Sequence, residues 1–166
     1  MAVTYAKGTA LEELDPVELG IRLAEVVAGV MPWLEGVSGA RAGMTPAEGK
    51  WSAKEVIGHL IDSAVNNLER IVRLDIVLDV EPEVRAQPYE QDEWVRAQHY
   101  AEKEWVEVLE LWRVLNAHIA WTMRQVAREH LGRICVFPDT HVTMGFLMED
   151  YIAHMEYHLK ALKAVL

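Results

Sequence analysis

The stretch DVEPEVRAQPYEQDEWVRAQHYAEKEW limits the fold of this chain more than any other segment. It separates two long segments of helical periodicity, and Pro82 and Pro88 interrupt it. Proline inside a helix removes a backbone hydrogen bond, clashes with the preceding turn and disfavours helix in the residue before it. Connections between bundle helices usually take about 2–8 residues, and this one is far longer. A long crossover means that the helices it joins run parallel, or are not neighbours in the up-down sense.

Four helices are expected around that crossover. The first is DPVELGIRLAEVVAGVMPWLEGV, with Asp15 as N-cap and Pro16 at the first helical position. Pro32 should kink or end it near its last turn. The second opens at WSAKEVIGHL, where Ser52 and Glu55 form a capping box and Trp51 and Val56 are placed for a hydrophobic staple. It should run to Val77 or Leu78. The third covers Glu102 to Leu131, with Gly132 as its stop. The fourth follows RICVFPDTHVT, capped by Thr143, and reaches the chain end. No strand alternation or internal repeat is evident. The expectation is therefore an all-α four-helix bundle, one domain spanning 1–166, with the long crossover between helices two and three.

Composition narrows the function classes. A formal charge of -10 argues against a duplex or phosphate binder, which usually carries a basic patch. The single cysteine, Cys135, cannot form an internal disulfide and suits a reducing compartment. No apolar run approaches the roughly 18 residues of a membrane span, and the N-terminal residues lack the apolar core of a secretory signal. A cytoplasmic protein that binds neither nucleic acid nor membrane is expected.

The histidines carry the chemical interest. His154 and His158 stand four apart in the last helix, so both imidazoles share one face, roughly 40° apart around the axis. They lie in or beside the apolar arc of Leu147, Tyr151, Met155, Leu159, Leu162 and Val165, away from Glu149, Glu156, Lys160 and Lys163. HMEYH differs from the metalloprotease H-E-x-x-H because Glu156 points away from His158. The paired Glu-x-x-His motifs of di-iron bundles are absent. A mononuclear site needs a third ligand, which His59 on helix two offers, sharing a stripe with Ser63, Asn66 and Arg70 beside Asp62. The same stripe also fits the solvated face of an amphipathic helix, and periodicity alone leaves both readings open. His99 and His141 fit solvated positions and His118 sits mid-helix. His130 fits a helix C-terminus, where the dipole favours it. Trp105, Trp112 and Trp121 fit core or interface anchors.

Three segments, KWSAKEVIGHLIDSAVNNLERIVR, PYEQDEW and FPDTHVTMGFLMEDYIAHMEYHLKAL, resemble the DinB superfamily, and within it the YfiT-like branch of metal-dependent thiol transferases. The resemblance runs from Trp51 to the C-terminus. It rests on the tryptophan opening helix two, the histidine eight residues on and the H-x-x-x-H pair of helix four. It implies a homodimeric bundle with His59, His154 and His158 holding a divalent ion, zinc or nickel. It also implies a low-molecular-weight thiol, bacillithiol or mycothiol, as cosubstrate for transfer onto an electrophile. Three neutral histidines leave a dication with an open position, in which a thiol loses its proton and no protein cysteine is needed.

Further roles are expected from placement. Asn66 and Arg70 are candidates for orienting the thiol, with Arg70 as a bidentate clamp, and with Asp62 they are the candidate catalytic groups. Asp62 or Asp150 is the expected acceptor for the second N–H of a ligating histidine. Tyr89 and Trp94 in the crossover are candidates for covering the site. Two rival readings stand beside the transferase: a dimeric bundle that binds a ligand or partner with structural or no metal, and a metal-dependent hydrolase, in which water takes the open position.

Overall fold

A computed structural model describes residues 4–77 and 83–166. Pro82 and Leu78 lie outside the described residues, so neither expectation placed on them is addressed. Helix α1 spans Pro16–Glu35, with the Asp15 carboxylate accepting the N–H of Val17 at 2.8 Å. It continues past Pro32 for most of a turn and ends at Gly36. So near the end a proline forfeits one intrahelical bond, while Met31 and Leu34 stay buried and hold the turn in place. A short α2, Gly39–Ala42, follows.

Helix α3, Ala53–Ile76, starts with the expected capping box: Ser52 Oγ accepts the Glu55 N–H, and the Glu55 carboxylate accepts the Ser52 N–H at 2.8 Å. Its apolar side buries Ile57, Leu60, Ile61, Ala64, Ile71 and Leu74. Its polar side is buried as well, through His59, Asp62, Ser63, Asn67 and Arg70. The stripe that periodicity could not distinguish from a solvated face is an internal one.

The crossover is structured. It holds strand β1 (Glu83–Arg85), helix α4 (Gln91–Ala97) and a 3-10 turn at Tyr100–Glu102. Helix α5 spans Trp105–Gln125, shorter at both ends than expected, because Val126 is extended and Arg128–Gly132 form a 3-10 turn. Strands β2 (Ile134–Val136) and β3 (His141–Thr143) then complete a three-stranded sheet in the order β1-β2-β3, parallel and then antiparallel. Val84, Cys135 and Val142 are in register across it. The sheet went unexpected because a three-residue strand buries a single side chain and shows no alternation. Helix α6, Met144–Val165, is capped by Thr143, whose hydroxyl accepts the Phe146 N–H.

Contacts at the helix ends set the directions. Lys54 at the start of α3 donates to the Lys103 carbonyl just before α5, and Arg133 just after α5 donates to the Leu74 carbonyl near the end of α3. These two helices are therefore parallel, one of the two arrangements the crossover length left open. Trp105 Nε1 donates to the Leu34 carbonyl, so α1 ends where α5 begins and the pair is antiparallel. The Met144 N–H donates to the Arg133 carbonyl, placing the start of α6 at the end of α3. The bundle thus runs with α1 and α6 one way and α3 and α5 the other.

The crossover docks on α3 one residue before His59. A Cβ on Gly58 would lie 2.2 Å from the Tyr100 ring, and the Tyr100 hydroxyl donates to Asp62 Oδ1 at 2.8 Å. Gly58→Ala is expected to destabilise the fold by about 1–3 kcal/mol, because the buried ring has no room to move. Gly29→Ala on open surface of α1, where an added Cβ meets nothing within 4 Å, should be neutral or stabilise by up to about 1 kcal/mol. Paired urea titrations check both; equal stabilities for the two variants would refute the docking argument.

Candidate metal centre

The three histidines expected from sequence meet in space. One ligating atom from each of His59, His154 and His158 lies within 4.8 Å of the others, His59 from α3 and the pair from α6. His59 Nε2 faces His154 Nε2 at 3.1 Å. A tetrahedral ion with bonds of about 2.0–2.1 Å sets its ligand atoms about 3.3–3.4 Å apart, close to that separation. Trp51 flanks the cluster, its ring centroid 5.0 Å from that of His59.

The imidazoles are held neutral. Burial, and then the neighbouring His158, pull the His59 pKa down to about 4. Burial, then His158 and His59, pull that of His154 down to about 3. Burial also lowers His158. Neutral imidazoles offer lone pairs, so the donor set suits a dication of borderline softness such as zinc.

The outer partners differ from those expected. Asp62 accepts from Tyr100 and from Gln98, and Asp150 Oδ1 accepts the backbone N–H groups of Tyr5 and Ala6. Asp62 Oδ1 and Asp150 Oδ1 thus have other donors, Asp62 Oδ2 is buried without a partner among the described residues, and the group beside His154 Nδ1 is the Ser63 hydroxyl at 3.3 Å. Burial raises the Asp62 pKa against the opposing hydrogen bonds of Tyr100 and Gln98. The second nitrogen of His59, Nδ1, is buried without a hydrogen-bond partner.

A cavity of about 370 Å³ opens beside the cluster, lined by His59 and His154 together with Ser63, Asn67, Arg70 and Tyr89. Arg70 and Tyr89 therefore face it. Asn66 does not: its amide donates back to the Asp62 carbonyl, and Asn67, one position on, takes the lining place. At about 100° per residue Asn66 lies roughly 20° from His59 on the wheel and Asn67 roughly 80°, so spacing favours Asn66, whereas the cavity opens to one side of the stripe. Trp94 is not part of that lining; it packs on the Tyr89 ring at 4.9 Å, behind the wall. Burial raises the Tyr89 pKa, with Arg70 opposing.

Tyr5 was not anticipated. The segment before α1 crosses α6, tied down by Asp150 and by Glu149, which accepts from Thr9. It lays the Tyr5 ring 4.8 Å from that of His154 and 6.3 Å from that of His158. No motif marks it, because the contact joins opposite ends of the chain. The remaining histidines stand apart from the cluster. His99 is exposed beside Glu102, His118 and His141 are exposed, and His130, in the last turn of the Arg128–Gly132 3-10 helix, pairs with Asp75 at 2.8 Å. Trp105 and Trp112 are buried as expected, whereas Trp121 lies outward against Arg124.

A sequence model of the DinB superfamily matches residues 22–162. The chain belongs to the DinB superfamily. Its fold is similar to that of YfiT from Bacillus subtilis, described as a probable metal-dependent hydrolase with an unusual four-helix bundle topology. The TM-score is 0.81 at 18% identity, over 96% of this chain and 89% of that one. It is also similar to the mycothiol-dependent maleylpyruvate isomerase, with TM-score 0.72 at 14% identity, over 93% of this chain and 63% of that one. No curated protein matches the chain by sequence. Among the described residues, no helix is long and apolar enough to cross a membrane.

The histidine pKa values carry a prediction for the metal-free protein. Unfolded histidine titrates near 6.5, while folded His59 titrates near 4. Between those values the unfolded chain binds more protons, so stability falls as pH falls through that window. Urea midpoints should drop between pH 7.5 and pH 5, where most carboxylates remain ionised, and the drop should shrink in His154→Leu. A pH-independent midpoint would contradict the neutral, buried cluster.

Proposed function

We propose that the protein is a metal-dependent transferase that moves a low-molecular-weight thiol onto an electrophilic small molecule, with His59, His154 and His158 as the metal ligands. The observation that carries this reading is the convergence of three neutral imidazoles, two of which, His59 and His154, line a cavity large enough for a small substrate. A divalent ion held there, zinc or nickel, supplies a Lewis acid that favours the thiolate over the thiol. The chain's own contribution is positional. Ser63 holds the His154 ring by accepting from Nδ1–H, which leaves Nε2 as the lone-pair atom. Tyr5 and Trp51 cover the cluster from two sides and reduce its contact with water. Cys135 is buried in β2 and is not needed as a nucleophile.

The dependence of a structurally similar isomerase on mycothiol supports a thiol cosubstrate. The likeness to YfiT supports the second reading, a metal-dependent hydrolase using water at the same centre. Association of two copies is part of the proposal, and outward-facing Val106, Leu111 and Val114 on α5 offer an apolar face for it.

Metal analysis of tag-free protein is the deciding experiment. About one equivalent of zinc or nickel is expected, lost in both His59→Ala and His154→Ala. Absence of metal after reconstitution refutes the reading. Ser63→Ala should bind the ion roughly 10–100-fold more weakly, as loss of an outer hydrogen-bond partner does at other sites. Thiol consumption with a model electrophile, compared with ester hydrolysis in the absence of thiol, separates transferase from hydrolase.

A further inference from the structure

Arg70 is a buried cation with no counter-anion among the described residues. Its side chain belongs to a residue only 7% exposed. One guanidinium nitrogen donates to the Gln87 carbonyl at 3.3 Å, and the group sits 5.0 Å from the centre of the Phe137 ring. Among the described residues it makes no ion pair. The adjacent Glu69 pairs with Arg73 at 2.9 Å, on the outside of α3. Asp150 lines the same cavity, but its Oδ1 is taken by the Tyr5 and Ala6 amides. A carbonyl and a ring face satisfy only part of a five-donor fork. Desolvating an unpaired charge costs stability, so a group aimed into a cavity at this cost calls for an anion from outside.

The location adds a length requirement. Arg70 lies eleven positions after His59, about 16 Å further along the axis of α3. Its long side chain shortens that gap only in part. Both residues line one cavity, whose apolar wall includes Phe137, Val142, Phe146 and Leu147. A molecule that reaches both ends must be extended.

We propose that Arg70 anchors a carboxylate at the far end of an elongated cosubstrate whose other end reaches the three-histidine cluster, so that the cavity selects substrates by charge and by length. This rests on the metal-centre reading for the near end and on the Arg70 environment alone for the far end. A guanidinium–carboxylate pair is bidentate and directional, which makes it a terminus detector more than a general attraction.

The test uses a molecular ruler. Binding of ω-mercaptoalkanoic acids to zinc-loaded protein is measured by calorimetry, from 3-mercaptopropionate to 11-mercaptoundecanoate, beside ω-mercaptoalcohols of equal length. Acid and alcohol should bind alike when short. At an intermediate or long chain length the acid should gain about tenfold or more, and Arg70→Met should erase that gain without weakening the alcohol. Arg70→Lys should keep part of it. In metal-free protein, octanoate should raise the Tm of wild type and not that of Arg70→Met, while octanol should not discriminate. Arg70→Met should itself melt no lower than wild type, since it removes an unpaired buried charge and keeps the stem.

Equal binding of acids and alcohols at every length, or an unfolded Arg70→Met with Arg70→Lys showing no carboxylate preference, overturns the anchor. If no thiol binds the metal-loaded protein yet octanoate still protects wild type selectively, the anchor stands and the thiol reading falls.

Discussion

Burial of the polar side of α3 governs the rest of this structure. His59, Asp62, Ser63, Asn67 and Arg70 occupy one side of a helix whose opposite side is already committed to the apolar core. Buried polar groups need partners, and unpartnered ones cost stability. The surrounding elements can be understood as the supply of those partners. The crossover provides Tyr100 and Gln98 for Asp62 and the Gln87 carbonyl for Arg70. Helix α6 provides His154 Nδ1 for the Ser63 hydroxyl and sets His154 Nε2 opposite that of His59. On this side of α3, His59 Nδ1 and Asp62 Oδ2 are left without a hydrogen-bond partner and Arg70 without an anion among the described residues. His59 and Arg70 line the cavity; Asp62 does not.

This arrangement explains why the crossover is long and structured. A two-to-eight-residue hairpin would place α5 antiparallel to α3 and leave the polar side open. The parallel course instead carries β1, α4 and Tyr100 across α3 before α5 begins. The small sheet then pins the returning chain. Cys135 is buried between Val84 and Val142, and Phe137 beyond it reaches the Arg70 guanidinium. The N-terminal segment closes the remaining side through Asp150 and Glu149 on α6. Those two carboxylates thus hold covering structure, and the histidines next to them remain free for a ligand.

Much of the fold was legible in local sequence. Asp15, Ser52 with Glu55, and Thr143 mark helix starts through chemistry confined to a single turn, and each caps the helix it was expected to cap. Pro32 was less legible, since proline weakens a helix by an amount that neighbouring packing can outweigh. The strands were illegible because three residues carry no period. In the site, the four-residue spacing of His154 and His158 is geometry that a helix enforces by itself. The choice of Asn67 over Asn66, and of Ser63 over Asp62 beside the histidines, depends on the angle at which α6 crosses α3.

The sequence by itself determined four long helices, a crossover too long for an up-down hairpin, and two imidazoles stacked on the last helix. All of these follow from periodicity, capping and chain length, which act over a few residues at a time. Tertiary structure alone decided that the polar stripe of α3 faces inward, and it brings His59, which the sequence only offered as a third ligand, to the His154 and His158 pair. It also decided that Tyr5 covers this cluster and that Arg70 lines the cavity with no ion pair among the described residues. These are long-range outcomes, because a helix with two competing faces shows which one is buried only when the other helices pack against it.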